Sequence, residues 1–143
     1  MTILDSYAVI SLLRDEPAAN EVEDLLLNTE ARLTAVGVSE VVDRMVRLLA
    51  VDEEEIALDL AQLDLAATLE VDDDLGLAAG MLRARRYQRR TCQLSLADCV
   101  AAVGARRSGE RLATADPDLL STCSLEGIGY ISLPDSTGAR WTV

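Results

Sequence analysis

Four carboxylates in this chain stand where a short apolar run gives way to a helical stripe. Asp5 follows "TIL", Glu40 sits in "SEVVDR", Asp98 in "LSLADCV" and Asp116 in "RLATADPDLL". Each reads as lying at, or in the first turn of, a helix that follows a strand. In a parallel α/β sheet, strand C-termini and the helix N-termini after them share one edge, and ligands bind there. Helix N-termini also favour ionised acids. A dense carboxylate cluster suits a hard divalent cation such as Mg²⁺ or Mn²⁺, and such a cation activates water for in-line attack on a phosphodiester. Every one of these acids has a plainer reading too. Ser95 and Asp98 have capping-box spacing, Asp116 before Pro117 makes an N-cap with proline at the first helical position, Asp5 or Ser6 suits the cap of the first helix, and Glu40 favours a helix start. Asp5 and Asp98 lie in apolar surroundings, where a charge without a partner is costly. Spacing alone leaves both readings open.

Composition narrows the chemistry. The 143-residue chain has no His and no Lys. That excludes Ser-His-Asp and Cys-His catalysis, imidazole bases, a P-loop lysine and Schiff-base chemistry. Aromatics are 3 % and Phe is absent, so a base-stacking platform is not expected. Cys92, Cys99 and Cys123 lack metal-type spacing and read as small reduced core residues. Carboxylates, arginines, hydroxyls and a hard cation remain. The net charge of −12 argues at first against a nucleic-acid partner, but its distribution is uneven. Residues 48–80 carry ten acids and no base, whereas residues 81–111 carry eight arginines against Asp98 and Glu110. A local basic footprint is compatible with an acidic whole. The acidic runs Asp52–Glu55 and Asp72–Asp74 read as solvated helix starts. Without a basic leader or a long apolar run, the chain reads as cytoplasmic, with no membrane span.

The elements that must position the acids follow from periodicity. "TIL", "ARLTAV", "ATLEV", "RLAT" and "GIGYISL" read as five strands. "SYAVISLLRDE", "AANEVEDLLLNTE", "SEVVDRMVRLLAV", "DEEEIALDLAQLDL", "DDDLGLAAGMLRARRYQRR", "LSLADCVAAVGARRSG" and "DPDLLSTC" read as helices. Alternation of strands with helices makes the class α/β with a mostly parallel sheet. The length suits one domain, residues 1–143, with an irregular tail over 134–143.

"ILDSYAVISLL", "VSEVVDRMVR", "LSLADCVAAVGARRSGERLATADPDL" and "GIGYISL", in this order and over about residues 1–133, resemble the PIN domain, and within it the VapC-type ribonuclease toxins of type II toxin–antitoxin systems. The resemblance implies a PIN-like three-layer fold, a sheet of about five strands flanked by helices. It implies that Asp5, Glu40, Asp98 and Asp116 are catalytic and hold Mg²⁺ or Mn²⁺. It implies auxiliary pocket roles for Ser6, Thr114 and Asp118, cleavage of RNA to a 5′-phosphate and a 3′-hydroxyl, a cognate antitoxin that blocks the pocket, and a homodimer. Tyr7 departs from it, standing where the family often has a small residue. Arg83, Arg85, Arg86, Arg89 and Arg90, just before the third acid, are candidate RNA contacts, or else a solvated helix end. Arg44 is spaced to pair with Glu40. Other readings are a PIN nuclease of RNA processing without an antitoxin, and a non-catalytic module whose acids cap helices or hold a structural metal.

Overall fold

In the computed structural model, which describes residues 1–143, the buried run Thr2–Leu4 forms β1 at the centre of the sheet. The strand order is β2-β1-β3-β4, with β2 at Ala31–Arg32, β3 at Arg111–Thr114 and β4 at Tyr130–Ser132. All three pairings are parallel: Thr2 sits opposite both Ala31 and Arg111, and Leu112 sits opposite Tyr130. Parallel strands need covered faces, and alternation along each strand supplies two apolar surfaces. Ile3 and Leu112 point into one core, with Leu82, Leu94, Cys99, Val103 and Leu119. Leu4 and Ala113 point into the other, with Val9, Val22, Leu26, Leu33, Met45 and Ile56. The first core is covered by α5 (Asp73–Arg86), α6 (Leu96–Ser108) and α7 (Pro117–Glu126). The second is covered by α1 (Ser6–Leu13), α2 (Ala19–Asn28), α3 (Ala35–Asp43) and α4 (Glu53–Gln62). The result is the expected helix–sheet–helix sandwich.

Four strands form rather than five. "ATLEV" contributes one parallel bridge, Thr34 to Leu69, at the β2 edge. It runs beside β2, the Ala66 and Leu69 N–H groups donating to Ala31 O and Leu33 O and the Ala35 N–H to Leu69 O, but the pairing stops at Thr34, whose side chain caps α3 by accepting from the Gly37 N–H at 2.9 Å. The same cap starts α3 at Ala35, four residues before the expected "SEVV" start, so Glu40 lies in its second turn and not its first. Beyond Asp43 the helix widens into a π-helical turn over Arg44–Leu48. The acidic runs cap helices as expected, Asp52 on α4 and Asp72 on α5. Gly109 and Gly127 close α6 and α7 in the left-handed conformation, which glycine adopts without a Cβ penalty. The three cysteines are free thiols, with Cys99 and Cys123 buried. No helix is long and apolar enough to cross a membrane.

The tail over 134–143 holds no helix or strand, but it folds back on itself. Pro134 and Arg140 form an antiparallel bridge around a tight turn, with Asp135 donating its N–H to Ala139 O at 2.8 Å. Contacts along its length hold this hairpin to the body: the Tyr7 hydroxyl donates to Pro134 O at 2.9 Å, Arg140 pairs with Glu21 of α2 and donates to Ser132 O, the Ser132 hydroxyl donates to Trp141 O at 3.0 Å, and the Trp141 ring packs edge-on against Tyr130 at 5.8 Å.

Candidate active site

Asp5 is the residue on which the site turns. It stands at the N-cap position of α1, yet its side chain makes no capping bond. It is 7 % exposed, and its Oδ2 accepts from the Thr114 hydroxyl at 2.7 Å across the β1–β3 pair. Ser6 Oγ lies 3.5 Å from its other oxygen. No guanidinium reaches it. A buried carboxylate with only hydroxyl partners resists ionisation. Burial first, then the charge of Asp98, then those of Glu40 and Asp116, push Asp5 up to about 7, while the Thr114 hydrogen bond opposes them.

The other three acids arrive from three other elements. Asp98 closes a capping box on α6: Ser95 Oγ accepts from the Asp98 N–H at 3.0 Å, and Asp98 Oδ2 accepts from the Ser95 N–H at 2.8 Å. Asp116 caps α7, with Oδ1 accepting from the Asp118 and Leu119 N–H groups at 2.8 and 3.3 Å. The structural reading of these two acids is therefore correct, but it uses only one carboxylate oxygen of each. Burial raises both pKa values, against their capping hydrogen bonds. Glu40, in mid-helix, caps nothing. It accepts from Ser6 Oγ and lies 3.8 Å from Arg44, which bears out the i,i+4 pairing.

All four acids line one cavity of about 700 Å³ at the C-terminal edge of the sheet. Ser6, Tyr7 and Arg44 line it beside Asp5 and Glu40. Tyr87, Arg89, Gln93, Leu94 and Ser95 form one wall, and Asp135 and Ser136 of the tail hairpin form the other. Thr114 lies beneath, fully buried, its hydroxyl also accepting from the Asp116 N–H at 3.1 Å. Asp118 turns away into a neighbouring cleft and accepts from the Gln93 N–H at 2.8 Å.

Of the five candidate RNA-contacting arginines, only Arg89 lines the acidic cavity. Arg83 donates to Leu94 O at 2.7 Å and lies over the Tyr87 ring. Arg85 and Arg86 turn to Glu126. Arg90 is exposed. Sequence reasoning did not place the hairpin wall. Its one local signal is the Asp-x-x-Gly turn at 135–138, whereas its tie to Tyr7 spans 127 positions.

No three acidic or thiol side chains converge as a preformed metal cage. The donor chemistry nevertheless fits a hard cation. Every candidate ligand is an oxygen, and the deepest one is a buried carboxylate with no cationic partner, crowded by like charges.

The sequence model of a family described as PIN domain matches residues 2–125. No curated protein sequence matches the chain. Solved structures share the fold. The Mycobacterium tuberculosis VapC20 structure, described as a Sarcin-Ricin loop cleaving toxin, has 14 % identity and a TM-score of 0.67, covering 90 % of this chain and 96 % of that one. FitAcB from Neisseria gonorrhoeae has 23 % identity and a TM-score of 0.64, covering 92 % and 96 %. VapBC2 from Rickettsia felis, bound to a DNA fragment from its promoter, has 13 % identity and a TM-score of 0.66, covering 91 % and 96 %.

Proposed function

The chain belongs to the PIN-domain family, and from that premise we propose that it is a metal-dependent endoribonuclease, the toxin of a VapBC-type toxin–antitoxin pair acting in the cytoplasm as one domain. The observation that carries this is the buried, cation-free Asp5 facing a cavity shared with Glu40, Asp98 and Asp116.

Those four acids would hold Mg²⁺ or Mn²⁺, which when bound lowers the pKa of a water and offsets charge on the reacting phosphate. The chain's own groups prepare the site. The Thr114 hydroxyl fixes Asp5, and the Ser6 hydroxyl fixes Glu40. The helix caps hold one oxygen each of Asp98 and Asp116 and leave the other free. Arg44 and Arg89 put positive charge on an otherwise acidic rim, where a phosphodiester must enter. With no histidine in the chain, proton transfer falls to carboxylates and water. Asp118, tied to the backbone of Gln93, steadies the wall that carries Arg89.

The antitoxin reading rests on the neighbours, several of which are toxin–antitoxin complexes. An apolar trail leaves the cavity at Tyr7 and Arg44 and continues over Ile10, Leu48 and Leu49, a path for an antitoxin segment that closes the pocket. Leu77, Met81 and Leu96 are exposed apolar residues on the α5 side and supply a surface for a homodimer.

The test is cleavage of total RNA by the purified protein with Mg²⁺ or Mn²⁺, with EDTA, and as Asp98→Asn. Discrete fragments that vanish with EDTA and in the variant are expected. No cleavage by the folded, antitoxin-free protein would leave a binding module instead.

A further inference from the structure

Three arginines from two helices converge on one carboxylate. Arg86 Nε donates to Glu126 Oε1 at 2.7 Å, while Arg85 Nη2 and Arg106 Nη1 reach Oε2 at 3.1 and 3.3 Å. Glu126 is 10 % exposed, and the guanidiniums hold its carboxyl below the usual range, so it stays ionised. One negative charge cannot neutralise three positive ones. Each guanidinium carries five N–H groups and gives only one of them to Glu126. The rest face outward, for the three side chains are 35–50 % exposed. A cation in the last turn of a helix is favoured by the dipole, which accounts for an arginine at such a place. It does not account for three held rigidly around a single acid on a protein of net charge −12.

The location gives this cluster a use. Arg85 and Arg86 line a cleft along α7, the helix Pro117–Glu126 that Asp116 caps. Its far end meets Asp118, whose carboxylate holds the segment carrying Arg89 in the acidic cavity. Ten residues of α-helix span about 15 Å. Arg89, exposed and free of ion pairs, lies in the acidic cavity at the Asp118 end. Positive charge therefore stands near both ends of this helix, at Arg89 in the acidic cavity and at the Glu126 cluster.

We infer that Arg85, Arg86 and Arg106, organised by Glu126, form a second binding surface that holds the phosphate backbone of single-stranded RNA flanking the cut site. This rests on the nuclease reading and extends it. Phosphates are recognised by planar guanidiniums presented in fixed orientation, and Glu126 supplies that fixation before RNA arrives. The polyanion otherwise meets an acidic protein, so binding without such a surface would be weak.

The experiment measures binding of a labelled mixed-sequence single-stranded RNA to the Asp98→Asn chain, by anisotropy, over roughly 50 to 200 mM salt. Arg85→Gln and Arg106→Gln should each weaken binding severalfold and flatten the log–log salt dependence by about 0.7. Arg106→Lys should keep the slope, and Arg14→Gln, remote from the path, should change neither quantity. Thermal melts identify any variant that loses its fold, and the other of Arg85→Gln and Arg106→Gln, or Arg86→Gln, then carries the comparison. Unchanged slopes in Arg85→Gln and Arg106→Gln, with Arg89→Gln still weakened, would overturn the inference while leaving the nuclease reading intact. Equal weakening by Arg14→Gln would reduce the effect to net charge and overturn it as well. A parent chain that binds no RNA would defeat the nuclease reading, and this surface with it.

Discussion

Replacing Asp5 with asparagine should stabilise the metal-free protein at pH 8. Asp5 binds its proton at about 7 in the folded chain against an ordinary value of 3.8. Between these values the folded state keeps a proton that the unfolded state releases, so stability falls as pH rises through this window and then levels off. At about 1.4 kcal/mol per pH unit the full penalty is about 4 kcal/mol. Asparagine keeps an oxygen to accept from Thr114, and the value of about 7 already includes the opposing effect of that hydrogen bond, so nothing further is subtracted for it. The gain expected at pH 8 is therefore about 4 kcal/mol, vanishing below about pH 4, where the wild-type acid is protonated in both states. Urea unfolding in EDTA, followed by circular dichroism and by Trp141 fluorescence, reads the difference between the two proteins at each pH. Taking that difference cancels the acids whose pKa values are lowered, such as Asp72. Mg²⁺ should then raise the wild-type midpoint by mass action and leave the variant's unmoved. A variant less stable than wild type at pH 8, or a difference that does not change between pH 4 and 7, would refute the account of Asp5 as a destabilising charge awaiting a cation.

Asp98→Asn should abolish cleavage with the melting temperature nearly unchanged, since its amide oxygen still accepts from Ser95, whereas Asp98→Ala should cost about 1 kcal/mol more through loss of the capping box, read by thermal denaturation. Tyr7→Phe removes only the hydroxyl that ties the tail hairpin; amide exchange at Asp135 and Ala139 should quicken locally while global stability drops by about 1 kcal/mol, and an unchanged exchange pattern would show that the tie does not hold the wall. Glu110→Gln should cost about 3 kcal/mol in urea unfolding, because Glu110 is 5 % exposed and its carboxylate takes the Arg32 guanidinium; a loss well under 1 kcal/mol would mean the pair is solvated.

Features written locally were legible in the sequence. "TIL" before Asp5, the Ser95–Asp98 box, Asp116–Pro117 and the closing Gly109 each encode their own geometry, and each acid lines the cavity. What failed was decided by competition or by distance. "ARLTAV" reads as strand through to Val36, but Thr34 captures the Gly37 N–H and commits the segment from Ala35 to helix, which in turn leaves Leu69 a single bridge. The arginine run could not be sorted along the chain, because Glu126, 40 and 41 residues away, draws Arg86 and Arg85 from the pocket. Charge counting finds such a run but not its direction.

The central place of β1 has a kinetic consequence. Its neighbours come from residues 31–32 and 111–114, and the hydrogen bond that seats Asp5 joins residues 109 positions apart. Parallel pairing over such separations is slow, because chain entropy is lost before contacts reward it. The acids come together in the same event that completes the sheet. A partly folded chain thus has nothing assembled to cut with. In refolding, activity should emerge with the last global phase and without an earlier burst, so that the nuclease is harmless until it is whole.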